Sequence, residues 1–334
     1  MKTKHFFKSA FQFFLALSIL GLASCGDTKK KKEEVVEEVK EVETPVEPDY
    51  KLSLAQWSFH KAIRNDKTMP VLDFAKKAKE LGFDGVEYVS QLYKLKEGNE
   101  QASLDSLVVQ LKKVSDENDI QNVLIMIDHE GDLSVSDKAA RDEAIRKHSM
   151  WVDAAAALGC SSVRVNLFGG DAEKDPKVWH DNSVDGMGRL AKYAATKNIN
   201  VIVENHGGLS SDAAKVVEVI KAINLPNCGT LPDFGNFCVK RESGERWGGK
   251  CTEQYDIYKG TEELMAYAKG VSAKTFDFDS LGNETKIDYV KMMDIIKKSG
   301  FKGFIGIEYE GNNLGEEEGI IATKKLVERV AGLN

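Results

Sequence analysis

Residues 200–236 read NVIVENHGGLSSDAAKVVEVIKAINLPNCGTLPDFGN. The apolar, β-branched run at 200–204 is strand-like, and it ends abruptly in Glu204-Asn205-His206-Gly207-Gly208. A Ser-Asp pair then opens a helix over 211–223, with apolar residues at helical spacing. A second apolar run at 229–233 ends in Asp233-Phe234-Gly235-Asn236. The run at 122–128, NVLIMID, is too apolar to be half exposed and is expected to be covered on both faces. That is the condition of a parallel sheet whose crossovers are helices.

The same beat runs outward in both directions. Upstream, strands are expected over 52–57, 85–89, 122–128 and 162–168, with helices over 71–81, 104–114, 136–158 and 184–197. Gly82 and Gly159 stop two of these helices, and a Ser-x-x-Ala cap at Ser136 opens the third. Downstream, helices over 262–269, 287–298 and 320–330 alternate with strands over 271–276 and 303–308. Eight strand–helix pairs specify a closed (β/α)8 TIM barrel. An open doubly wound sheet also alternates, but no GxGxxG follows the first strand.

The start of the chain speaks to address rather than fold. Lys2, Lys4 and Lys8 precede an apolar run at 11–22 that is too short for a stable membrane span. It ends in Leu22-Ala23-Ser24-Cys25, which resembles the lipobox of bacterial lipoproteins. That resemblance implies a signal peptide over 1–24, lipidation of Cys25 and a lipid-anchored place in the cell envelope. Residues 25–50, with Lys29 to Lys32, a Glu/Val/Lys mixture, Pro45 and Pro48, read as a disordered charged tether. Extended, it reaches roughly 80 Å at ~3.3 Å per residue. Residues 51–334 suit one barrel of ordinary size.

The net charge is −7 and no basic stripe occurs, which argues against nucleic acid as a partner. Contact with a membrane is expected through the lipid alone, and nothing in the sequence speaks to oligomeric state. Of five cysteines, Cys160 and Cys228 sit beside strand starts and are expected to be buried. Cys238 and Cys251 flank a Gly- and charge-rich loop, where a disulfide, if formed, would contribute up to ~3 kcal/mol. No CxxC suggests a thiolate zinc site.

The working face of such a barrel lies at the C-terminal strand ends. Here those ends carry Trp57, Glu87, Asp128-His129, Arg164 and Asn166, Glu204 to His206, Asp233 and Asn236, Lys274, and Glu308-Tyr309-Glu310. Ionised carboxylates on apolar strands are costly unless paired or bound to a cation. Glu204, Asp233 and Glu308 come from neighbouring strands, and a divalent cation would resolve their repulsion.

With these residues, the chain from Leu52 onward resembles the xylose-isomerase-like sugar isomerase/epimerase superfamily. The resemblance rests on Val203-Glu-Asn-His-Gly207, Pro232-Asp-Phe-Gly-Asn236, Ser272-Ala-Lys274 and Gly306-Ile-Glu308. It implies a divalent metal, Mn, Mg or Zn, on Glu204, Asp233 and Glu308. The family's fourth ligand, a histidine, falls at Ser272. Either His206 or His129 substitutes, or water or substrate completes the set, or metal binds weakly or not at all. In the last case Lys274 supplies the positive charge.

The expected chemistry is proton transfer next to the carbonyl of a sugar or keto-glycoside, with Glu204 and Glu308 as base and acid and Lys274 or the metal at the oxyanion. Arg164, Asn166, His206 and Asn236 are candidates to bind hydroxyls, and Trp57 and Trp247 to stack on a sugar ring. A leaving group β to the carbanion would make the same site a lyase or dehydratase. A non-catalytic saccharide-binding lipoprotein is the further alternative. An endonuclease on this barrel needs several zinc ions and many histidines, and only six histidines occur. The long segment 237–259 after the sixth strand is expected to be a lid or binding loop.

Overall fold

The computed structural model describes residues 50–170 and 175–333. The signal segment, Cys25 and the tether up to residue 49 lie outside the described residues. Eight parallel strands form the barrel: β1 Tyr50–Ala55, β2 Gly85–Val89, β3 Gln121–Met126, β4 Ser162–Val165, β5 Asn200–Glu204, β6 Cys228–Leu231, β9 Val271–Thr275 and β10 Gly303–Tyr309. They are hydrogen-bonded in the order β6-β5-β4-β3-β2-β1-β10-β9. Parallel bridges Thr230–Ala268 and Asp233–Ser272 bring β6 to β9 and close the ring. Amides along this seam bond across it: Ser272 N donates to Pro232 O at 2.9 Å and Thr230 N to Tyr267 O at 3.0 Å.

The helices α1 Phe74–Glu80, α2 Glu100–Glu117, α3 Lys138–Leu158, α4 Pro176–Ala195, α5 Ala213–Ile223, α6 Ile257–Met265, α7 Tyr289–Lys298 and α8 Glu316–Ala331 pack outside. Aspartates cap five of them. Asp137, Asp175, Asp212, Asp256 and Asp288 each accept from a first-turn amide, worth about 1 kcal/mol per cap. Asp137, not Ser136, is therefore the cap of α3. α4 begins at Pro176, well before residue 184, because Asp175 and Pro176 form a strong start that the weak apolar pattern of the first turns hides. α6 likewise starts at Ile257 behind Asp256, five residues before the expected start.

The apolar core has two layers. Ala55, Val89, Val123, Leu124, Met126, Ile202 and Leu231 form the smaller cluster, an apolar plug. Between ring and helices lies a larger cluster; α5, for example, buries Ala213, Val216, Val219 and Ile220 at helical spacing. Segment 237–259 is not one irregular loop. It forms an antiparallel hairpin, β7 Cys238–Arg241 with β8 Cys251–Gln254, and then enters α6. Cys238 and Cys251 are joined by a disulfide, and Cys160 and Cys228 are free and buried. Among the described residues no helix is long and apolar enough to cross a membrane.

Candidate active site

Strand periodicity builds the site. Residues two apart face the same side, so the strands that send Ile202 and Leu231 into the apolar plug send Glu204 and Asp233 into the barrel just above it. Register completes the set. Ser272 lies beside Gly306 and Lys274 beside Glu308 on β9 and β10, and Asp233 lies beside Ser272. All of these polar side chains are buried. Glu204, Lys274 and Glu308 form the floor of a cavity of about 570 Å³ whose walls include Trp57, Arg64, Asp128, Phe168, His206, Asn236, Arg246, Trp247 and Glu310, while Asp233 and Ser272 pack against that floor without lining the cavity. A larger surface depression of about 750 Å³ beside α2, lined by Leu72, Leu92 and Leu107 among others, includes none of these buried acids.

Glu204, Asp233 and Glu308 do converge: each offers a carboxylate oxygen within 4.8 Å of the others, a spacing that could hold an ion. No histidine joins them among the described residues, so His206 and His129 stand outside the triad. Lys274 does join. Its Nζ lies 3.5 Å from Asp233, 3.5 Å from Glu308 and 3.3 Å from Glu310. Ser272 Oγ lies 2.7 Å from Asp233 Oδ2 and 3.1 Å from Glu308 Oε2. Asp233 Oδ1 accepts from the amides of Gly235 and Asn236 at 2.8 and 2.9 Å. As these side chains stand, a divalent ion does not fit beside them: the ammonium and Ser272 already occupy the oxygens it would use.

Arg164 ties the opposite wall together. Its guanidinium grips both oxygens of Asp128, at 2.7 and 3.2 Å, and its Nε lies 2.9 Å from Glu204 Oε2, though not aligned as a hydrogen bond. Asn236 Nδ2 donates to Glu204 Oε1 at 3.1 Å. Asn166 is differently employed from the expectation. Its Nδ2 donates to Asp128 and its Oδ1 faces His206 Nδ1 at 2.7 Å, so both polar atoms are spent on positioning. Since Asn166 Oδ1 can only accept, His206 carries its proton on Nδ1 and turns an acceptor Nε2 outward.

The rim is aromatic. Trp57, in the turn after β1, donates from Nε1 to Glu310 at 2.5 Å and stacks on His60. Across from it the hairpin delivers Trp247, 4.8 Å from the His206 ring, and Arg246, 3.4 Å above Phe168. Segment 237–259 thus reaches the cavity, with the disulfide at its base.

Burial and neighbouring charge set the proton affinities. Burial pushes the Glu308 carboxyl up to about 8, reinforced by Glu310, Glu204 and Asp233 against the pull of Lys274. Burial also raises Glu204 and Asp233, opposed by Arg164 and Lys274 respectively. For Asp128 and Glu310 burial alone would raise the carboxyl, but Arg164 and Lys274 bring them below the usual range. Lys274 is buried, yet its acidic neighbours hold it firmly protonated. Burial, with Arg164 nearby, pushes His206 down to about 3, leaving a neutral ring.

Sequence reasoning gave Glu310, Asp128 and Arg246 no role. For Glu310 the signal was present: it stands two residues after Glu308 and so shares its face. For Asp128 its place at a strand end was visible but its partner, 36 residues away in sequence, was not, and for Arg246, 78 residues from Phe168, no signal was present.

The model of the xylose isomerase-like TIM barrel family matches residues 75–328. The chain belongs to this family. Among solved structures it is similar to an L-ribulose 3-epimerase, with TM-score 0.65, 13% identity, and coverage of 85% of this chain and 95% of that one. A D-tagatose 3-epimerase-like protein gives 0.62 at 16% identity, covering 85% and 97%. The 3-keto-D-glucoside 4-epimerase YcjR from E. coli gives 0.61 at 14%, covering 84% and 98%. One neighbour, the IOLI protein at TM-score 0.59 and 15% identity, covering 85% and 98%, has a bound zinc. No curated protein matches. At these identities the likeness establishes the fold.

Proposed function

We propose that this chain is an exported, lipid-anchored epimerase or isomerase that moves a proton next to the carbonyl of a sugar or keto-glycoside. The observation that carries the reading is the pair Glu204 and Glu308, both buried, facing one cavity floor beside an ammonium. Glu204, held by Arg164 and Asn236, is the base that takes the C–H proton. The electron pair moves onto the carbonyl oxygen, which rests against the cation at the floor. Glu308 is the acid that returns a proton to the carbon from the other side. The divalent ion that the sequence resemblance implies, Mn, Mg or Zn, has no part in these steps, because the side chains at the floor as they stand do not fit it.

The substrate class follows from the rim and the address. Trp57 and Trp247 offer two apolar faces suited to the C–H faces of a sugar, and Asn236 and His206 Nε2 offer polar partners for hydroxyls. The signal segment and Cys25 read from the sequence support an address outside the cytoplasm, where free sugars and oxidised glycosides are met more than phosphosugars. The 3-keto-glucoside and ketose names of the structural neighbours agree with this class.

The test is NMR of purified protein in heavy water with ketohexoses and 3-keto-glucosides. Appearance of an epimer or isomer, with deuterium at the exchanged carbon, is the expected result. A sugar that binds, shifts the Trp fluorescence and stays protiated would instead make the chain a saccharide-binding lipoprotein.

A further inference from the structure

We propose that the resident cation of this site is the Lys274 ammonium, built into the place a divalent ion would take. The inference rests on the sugar proton-transfer reading for its chemistry, but its evidence is independent of any substrate.

A carboxylate has about four acceptor positions. Asp233 has spent two on the amides of Gly235 and Asn236, and its other oxygen faces Ser272 Oγ at 2.7 Å and Lys274 Nζ at 3.5 Å. Glu308 Oε2 lies 3.1 Å from the same Ser272 hydroxyl, whose single proton serves one acid at a time, and Oε1 faces Lys274 Nζ at 3.5 Å. Glu204 has one oxygen on Asn236 and the other in an ion pair, 2.9 Å from Arg164 Nε. Every oxygen of the triad therefore already faces a protein donor group within 3.5 Å, through a hydrogen bond or an ion pair. An ion could enter only by expelling donors and by standing next to a buried ammonium.

The lysine is also fitted rather than incidental. It is 2% exposed. Its stem passes Gly235, where an added Cβ would lie 3.3 Å from Lys274 Cδ and 3.0 Å from the Phe276 ring, and the Tyr289 hydroxyl donates to its carbonyl at 2.7 Å. Ser272 suits the same arrangement. A hydroxyl there lies within hydrogen-bond reach of the same two acids that pair with the ammonium.

In the reaction this gives a metal-free balance. The C–H bond breaks with its proton going to Glu204, and its electron pair forms the enolate C=C while the carbonyl π pair moves to oxygen. The oxygen accepts a hydrogen bond from the Lys274 ammonium, which keeps its proton. Reprotonation of carbon by Glu308 restores the C=O bond. No electron leaves or enters, and no co-reactant is needed.

The experiment uses the folded domain without substrate. Metal content is measured on protein purified without chelator, and Mn²⁺ alone is titrated at neutral pH by electron paramagnetic resonance and by thermal melting with and without EDTA. The wild type should carry well under one metal per chain, bind Mn²⁺ only weakly and melt unchanged in EDTA. Lys274→Met, with the ammonium gone, should bind Mn²⁺ roughly tenfold tighter or more and be stabilised by it. Near-stoichiometric metal in the wild type, or a melting point that drops in EDTA, overturns the inference. So does a folded Lys274→Met that binds Mn²⁺ no better than wild type. If that variant fails to fold, the wild-type metal content and EDTA melts decide alone. Because none of these readouts needs turnover, a failed epimerase assay and a failed Lys274 inference are told apart.

Discussion

Glu87 sits in the barrel interior beneath the catalytic floor and offers a measurement of how dry that interior is. Its side chain is buried, Ser53 Oγ donates to Oε1 at 2.6 Å, and Oε2 has no partner among the described residues. Gly306 on β10, separated from β2 only by β1, makes room: a Cβ there would fall 2.5 Å from Glu87 Oε1. Burial, with Glu204 nearby, pushes this carboxyl from 4.5 to about 7. The sign follows directly. Between those values the folded chain keeps a proton that the unfolded chain has lost, so stability falls as pH rises through 4.5 to 7 and levels off above. At about 1.4 kcal/mol per pH unit the full penalty is about 3 kcal/mol. Glu87→Gln keeps the shape and removes the titration. Urea unfolding of both proteins at pH 5 and pH 8 should show the variant gaining about 2 to 3 kcal/mol relative to wild type between the two pH values. His148, which burial pushes down to about 4, destabilises both proteins alike as pH falls, so it cancels in the difference. A difference that does not change with pH would refute the claim that Glu87 is held neutral by a dry barrel interior.

Further outcomes follow from the same structure. Asp128→Asn removes the carboxylate that grips the Arg164 guanidinium, and leaving a buried charge half-paired should cost about 3 to 5 kcal/mol by urea unfolding; a loss under about 1 kcal/mol would mean Arg164 re-pairs freely. Ile202→Ala opens the apolar plug between β4 and β6, with an expected loss of about 2 to 5 kcal/mol in the same assay. Reduction of Cys238–Cys251, which closes a loop of sequence separation 13, should release the hairpin, and trypsin should then cut faster after Lys240, Arg241, Arg246 or Lys250; an unchanged cleavage rate would show that packing alone holds Trp247 at the rim.

The barrel was legible because each strand is short, apolar and followed by an amphipathic helix, and the acid triad because its members end such strands. What the pattern hid was local or distant. The first turns of α4 and α6 are too polar to show periodicity, so their starts depended on the caps Asp175 and Asp256. The hairpin 238–254 is rich in charge and glycine, and its pairing became visible only with the register from Cys238 to Gln254. Asn166 looked like a hydroxyl ligand because a strand-end Asn has free polar atoms in sequence; in three dimensions Asp128 and His206 take both. The lysine's closeness to two acids of the triad required the β9–β10 register, in which Lys274 stands beside Glu308.

The account turns on two carboxylates serving one substrate carbon, and single-turnover deuterium wash-in on each of two interconverting epimers measures that directly. Wild type should label both epimers. Glu204→Gln should lose labelling of one epimer by roughly 10² or more while keeping some with the other, and Glu308→Gln should show the reverse. Equal, undiminished labelling of both epimers in the two variants would contradict the assignment and move the chemistry away from this pair.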